Sequence, residues 1–157
     1  GERSWCNEDA ELKAPEGYIW VAAARKKDIC WDVMREWITQ RATERFQRLE
    51  KMFAAGKTED GFEGHIVDDG IISWGEYAYR KDETLEAYLE RCAVPKAWKY
   101  PFSVHDIVDA DCWLSKDDSY LDSESGKYLP VEWRSQIDEY VDDLDDETVL
   151  VGVDYHM

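Results

Sequence analysis

Three small groups of residues have types and spacing that could do chemistry. Asp154 and His156 stand two apart in TVLVGVDYH (residues 148–156), a run that reads as a strand, so both point to one face. An Asp beside an imidazole orients the ring and raises its pKa, a pairing that serves general acid–base chemistry or metal ligation. His105 falls in another predicted strand and joins them if the two strands are adjacent. His105, Asp154 and His156 would then be the catalytic set of a small metal-assisted hydrolase. The plainer account is a strand end running into solvent, where polar residues need no special reason.

The second group is Asp109, Asp111, Asp117, Asp118, Asp122 and Glu124, a concentration of the oxygen ligands that hard cations take. It lacks the glycine and the acidic spacing of an EF-hand loop, and a solvated acidic loop explains it as well. The third is Arg41, Arg45 and Arg48, spaced four and three so that they share one stripe of a helix. Arginine can grip phosphate or carboxylate with two parallel hydrogen bonds. Ion pairing with the protein's own acidic residues is the simpler expectation. No glycine-rich phosphate loop, HExxH, nucleophile elbow or zinc spacing occurs, and the sequence implies no cofactor.

Charge is the most unusual bulk property. The chain of 157 residues carries a formal net charge of −17, and it is unevenly placed. Residues 101–157 hold sixteen Asp or Glu against Lys116, Lys127 and Arg134. A surface of that sign repels nucleic-acid phosphates and anionic membrane, and attracts basic partners or cations. Within it Asp138, Glu139, Asp142, Asp143, Asp145 and Asp146 form a dense run, with Trp113, Tyr120, Tyr128, Trp133 and Tyr140 interleaved as anchors for an interface.

The elements that must position these groups follow from periodicity. Asp28 to Ala55 places Cys30, Met34, Ile38, Ala42, Phe46, Leu49 and Phe53 on one face of a helix, a rod of roughly 40 Å, with Trp37 and Met52 at its flanks. Asp28 is placed to cap it and Gly56 to end it. Before it, Tyr18 to Ala24 (YIWVAAA) reads as a central strand covered on both faces. The basic trio Arg25, Lys26 and Lys27 joins the two, either as a solvated connection or as an anion site at a helix N-terminus. Phe62 to Val67 and Ile71 to Tyr79 read as a hairpin about an Asp-Gly turn. A second helix runs from Asp82 or Glu83 to Cys92. Phe102 to Val108 resumes strand character and continues toward Leu114.

Residues 115–128 read as a polar loop or hairpin tip, and Pro130 opens a third helix through Leu144. The β-α-β-β-α-β order, with an α-β appended, matches the ferredoxin-like order. The expected fold is therefore α+β: a single domain over residues 1–157, with 1–16 as a loosely ordered arm. The opening residues show no signal-peptide pattern, no apolar run reaches membrane-spanning length, and the cysteines have neither framework nor metal spacing. These features predict a cytoplasmic protein.

The segments at residues 22–34 (AAARKKDICWDVM), 69–79 (DGIISWGEYAY) and 151–157 (VGVDYHM) resemble pieces of uncharacterised small bacterial and phage proteins that end in a Val-Asp-x-His strand. The resemblance implies no activity and carries over no functional residue. It implies a phage or mobile-element origin.

The functional expectation is an acidic inhibitor that binds a basic, nucleic-acid-binding defence protein, of the anti-CRISPR or anti-restriction type, and touches neither nucleic acid nor membrane. Alternatives are the metal-assisted hydrolase and a structural or regulatory oligomer in which the arginine stripe of one copy meets the acidic half of another. Cys6, Cys30, Cys92 and Cys112 are expected to be free thiols. Mass analysis under non-reducing conditions should count four alkylatable thiols; a native disulfide would contradict this.

Overall fold

A computed structural model describes residues 14–153 of the chain. In order the elements are β1 (Ala23–Arg25), a 3-10 turn (Lys26–Asp28), α1 (Trp31–Ala55), β2 (His65–Val67), β3 (Gly70–Ser73), β4 (Glu76–Arg80) and α2 (Leu85–Cys92). There follow β5 (Asp106–Val108), β6 (Trp113–Ser115), β7 (Ser119–Leu121), β8 (Tyr128–Pro130), α3 (Trp133–Asp143) and β9 (Val149–Val151). The architecture is α+β, with three helices and four small antiparallel sheets among the described residues. These residues cluster into two compact units: the continuous stretch Trp31–Phe102, and one that joins the two ends of the chain. The greater part of the arm expected over 1–16 lies outside the described residues.

The central unit is built on α1. Ala42, Phe46, Leu49 and Met52 are its buried residues, spaced four, three and three along the predicted face. Gly56 ends the helix in the left-handed region at φ +67°, with two backbone bonds closing the last turn. Lys57 N–H donates to the Met52 carbonyl at 3.3 Å and Gly56 N–H to Phe53 at 3.1 Å, the Schellman arrangement. The start differs from expectation. Asp28 lies in the 3-10 turn and accepts from Arg25 Nε at 2.7 Å, so it does not cap α1, and Cys30 is exposed rather than in the core.

The expected hairpin is a three-stranded meander, β2-β3-β4. Ile71 to Tyr79 is not one strand, because Trp74 and Gly75 both take positive φ, +53° and +80°, and turn it back on itself. Two positive φ values in a two-residue loop are the I′ pattern, whose twist suits a tight hairpin. At the other end of β3, Gly70 is required by close approach: a Cβ there would sit 2.1 Å from the Tyr79 carbonyl oxygen. Thr84 caps α2 by accepting from Ala87 N–H at 3.2 Å.

Phe46 joins these elements. Its ring lies 5.7 Å from Tyr79 of β4 and 5.0 Å from Tyr88 of α2, both tyrosines being buried. Phe53 reaches Tyr79 at 5.5 Å. At the other end of α1, Trp31 packs edge-on to Tyr100 at 5.0 Å and stacks on Phe102 at 5.7 Å. Arg35 fastens the same returning segment by donating to the carbonyls of Pro95, Trp98 and Lys99.

In the unit made from the two ends, β1 pairs with β9, Ala23 facing Val151 and Arg25 facing Val149. The strand expected over Tyr18 to Ala24 is thus three residues long, and Ile19 and Val21 are 80% and 57% exposed rather than doubly covered. β9 is equally short and supplies one partner only. β5-β6 and β7-β8 are separate hairpins. Pro130 ends β8 and does not open the helix; α3 starts at Trp133 and buries Trp133, Ile137 and Val141 at steps of four.

The pairings therefore differ from the single ferredoxin-like sheet. The runs that form β5, β6 and β7 are each broken after three or so residues by an aspartate that folds the backbone, Asp109, Asp118 and Asp122. A strand so interrupted closes on its neighbour, and a short loop costs less entropy than a distant partner. Truncating Phe46→Ala removes the ring that joins α1, β4 and α2, and should lower unfolding free energy by about 3–5 kcal/mol. Urea denaturation would read it, and a loss under about 1 kcal/mol would mean that this face does not carry the unit.

Candidate functional site

The acidic residues of the end-joining unit divide by what they already hold. Asp109 Oδ1 accepts the N–H groups of Asp111 and Cys112 at 2.7 and 2.8 Å, which makes the β5-β6 turn. Asp118 accepts Ser115 N–H at 2.9 Å, Asp122 accepts Ser125 N–H at 2.7 Å, and Asp145 accepts Glu147 N–H at 2.8 Å. Short polar side chains that bond the backbone two or three residues away are turn-makers. So three of the six residues read as cation ligands are occupied with the chain's own N–H groups. Among the described residues, no three His, Cys, Asp or Glu side chains group as a metal site would.

The basic trio finds its anion within the chain. Lys26 Nζ donates to the carbonyls of Asp142 and Leu144 at 3.1 and 2.9 Å, at the C-terminus of α3. A cation there satisfies carbonyls with no helical partner and opposes the negative end of the helix dipole. Arg25 and Lys27 both pair with Glu147, Arg25 at 3.2 Å. Arg25, Lys27 and Glu147 are substantially exposed, so each of their pairs contributes little to stability by itself.

The predicted site residues are placed as follows. Asp138 pairs with Arg134 at 2.6 Å, both side chains 17% exposed, one turn apart on α3. Glu139, Asp142, Asp143, Asp145 and Asp146 are exposed. Trp133, expected at an interface, is 9% exposed and donates its indole N–H to the Val104 carbonyl at 2.6 Å, so its ring belongs to the interior. Tyr140 is half-buried and donates its hydroxyl to Asp109 Oδ2. His105 is half-exposed, with Nδ1 3.2 Å from Asp106 and Nε2 3.1 Å from Asp117. Asp154 and His156 lie outside the described residues, as does their pairing with His105.

Trp113 and Tyr128, read from the sequence as interface anchors, are exposed, and each has an exposed apolar cross-strand partner that the sequence did not single out. In β5-β6, Val108 faces Trp113 across the ladder, 62% and 70% exposed. In β7-β8, Leu121 faces Tyr128, 58% and 73% exposed. Each pair closes its hairpin beside a turn bearing carboxylates, Asp109 and Asp111 in one, Asp122 and Glu124 in the other. Strand alternation could have placed Val108 opposite Trp113, had the turn at Asp109 been recognised.

No protein-family model, curated protein or solved structure matches the chain. Among the described residues, no helix is long and apolar enough to cross a membrane.

The Asp109–Tyr140 bond has a pH signature. The Tyr140 hydroxyl, with the N–H groups of Asp111 and Cys112, holds the Asp109 carboxyl down at about 2. Burial and the facing carboxylate push Tyr140 up to about 12. A lowered carboxyl pKa stabilises the fold above its unfolded value of about 3.9, and that contribution is lost as pH falls through about 2. A raised phenol pKa stabilises below about 10, and its contribution is lost as pH rises through about 12. Tyr140→Phe should flatten the acid-side fall in stability between roughly pH 4 and 2, measured by urea titration. The Asp109 carboxyl, followed by NMR, should then titrate above its wild-type value. An unchanged Asp109 titration would mean that the bond does not form in solution.

Proposed function

We propose that this is an acidic protein-binding module, cytoplasmic and of phage or mobile-element origin. It occupies the nucleic-acid-binding face of a basic host protein and thereby inhibits it, in the manner of an anti-CRISPR or anti-restriction protein. The observation that carries the reading is the pair of exposed apolar contacts, Val108 with Trp113 and Leu121 with Tyr128, set beside exposed carboxylates in a segment of strongly negative charge. Exposed rings supply area that is desolvated on docking, while the carboxylates steer a basic partner and set its orientation. The anchors are thus Trp113 and Tyr128, and the steering groups include Glu139, Asp143 and Asp146. Free thiols at Cys30, Cys92 and Cys112 suit a reducing compartment.

The reading predicts two separable defects. Reversing Glu139, Asp143 and Asp146 to Lys should slow association with the partner and weaken its salt dependence, because exposed charges act over about 10 Å at 0.1 M salt. Replacing Trp113 and Tyr128 by Ser should speed dissociation and leave the salt dependence intact. Capture from host lysate with wild-type and both variants identifies the partner, and nucleic-acid binding by that partner is then measured with each. If no nucleic-acid-binding protein is lost on charge reversal, the inhibitor reading fails.

A further inference from the structure

The central unit holds a groove of opposite character. A cavity of about 710 Å³ opens among α1, the meander and α2, within the size range of small-molecule sites. Its floor is apolar, with Leu49 and Met52, both 3% exposed, beside Phe62. Four arginines from three elements line it: Arg45 and Arg48 from α1, Arg80 from β4 and Arg91 from α2. Glu76 is the one carboxylate among the lining residues. In a chain of net charge −17, this is a cleft of reversed sign.

The arginines are not equally available. Arg91 forks onto Glu83 at 2.8 and 2.6 Å, and Arg48 pairs with Glu59 at 2.6 Å. Arg45 is held by neutral groups, donating to the Tyr88 hydroxyl at 2.6 Å and to the Cys92 carbonyl at 3.4 Å. Arg80 lies over the Tyr77 ring at 5.3 Å. Among the described residues no carboxylate stands at ion-pair distance from Arg45 or Arg80, although Glu83 feels the Arg80 charge at longer range, so two guanidinium groups line the cleft without a contacting counter-ion. Low-dielectric walls concentrate such a field on an anion.

Trp74 adds a second requirement. Its side chain lines the groove, is 84% exposed, and stands on a backbone at φ +53°, a region that non-glycine residues enter at a cost. A glycine or asparagine would make the same turn more easily. An exposed indole at that turn offers a face for stacking a planar ring.

The geometry points to this groove as a binding site for a small anion that carries a planar ring, of the nucleoside-phosphate class. The phosphate engages Arg45 and Arg80, and the base lies against Trp74. An inorganic anion would satisfy the guanidinium groups and leave the indole and the apolar floor unused. A neutral nucleoside would do the reverse.

The test is titration of the purified chain with N-methylanthraniloyl-ADP, read by fluorescence anisotropy, with ADP, adenosine and inorganic phosphate as competitors. Saturable binding is expected, with ADP the best competitor. Arg80→Glu should weaken it about tenfold or more, while Lys57→Glu, an equal charge change outside the lining, should not. Trp74→Gly should weaken it too, with the melting temperature unchanged or higher, since glycine takes positive φ freely. That variant separates a lost contact from a lost fold. The proposal is overturned if the wild-type chain shows no saturable binding, if Arg80→Glu and Lys57→Glu act alike, or if Trp74→Gly binds as wild type. Competition by inorganic phosphate as strong as that by ADP would overturn the ring requirement. Dimerisation abolished by Arg80→Glu, without nucleotide binding, would assign the groove to a second copy and overturn it likewise.

Discussion

The central unit depends on one aromatic contact set, Phe46 between Tyr79 and Tyr88. Removing water from three rings at once supplies apolar area that the short meander and the short α2 could not bury separately. Because Tyr88 is anchored there, its hydroxyl is fixed at the edge of the core, and Arg45 bonds to it. The position of a charged group on the surface is thus inherited from ring packing one layer down. The same holds for Arg91, which reaches the Tyr77 carbonyl at 2.7 Å while it holds Glu83.

Electrostatics in the end-joining unit follow a different rule. Net charge there is strongly negative, yet most of the individual carboxylates described above have local work. Those in the turns fold the backbone, and Glu147 collects Arg25 and Lys27. Counting charges along the sequence therefore overstates how many are free to meet a partner. The residues left over, at the hairpin tips and on the outer part of α3, are fewer and more specifically placed. Those at the tips, Asp111 and Glu124, lie beside the exposed rings that close β5-β6 and β7-β8.

Much of the long helix was legible from its residues. Ala42, Phe46 and Leu49 repeat at close to 3.6-residue spacing over about two turns, and a glycine stands where the helix must stop. The α2 face was legible for the same reason. What failed shares a cause: a run of apolar residues reports what dislikes water, not what covers it. Tyr18 to Ala24 looks like a buried strand, and its short partner leaves Ile19 exposed. Ile71 to Tyr79 looks like one strand, because Trp is a rare occupant of a tight turn and hides the glycine beside it. Asp109 and Pro130 were read as acidic loop and helix start, though the backbone bonds of an aspartate and the missing N–H of a proline serve turns and strand ends equally well. Of the candidate catalytic set, His105 was read as lying within a strand; it stands just before β5, and its neighbours are local aspartates.

The pairing of β1 with β9 has a consequence in time rather than in space. Arg25 and Glu147, which meet beside that pair, are 122 residues apart in the chain. A ribosome releases the whole of Trp31–Phe102 before the residues of β9 exist. The central unit has all of its partners early and a low contact order, so it can form during synthesis. β1, already made, must wait until β9 has been synthesised before it can pair. The preformed unit shortens the effective loop that later brings the ends together, because ordered chain no longer contributes to the entropy of closure. Slow elongation would therefore favour productive folding of this protein, and premature termination downstream of Phe102 would release a folded centre with two unpaired ends.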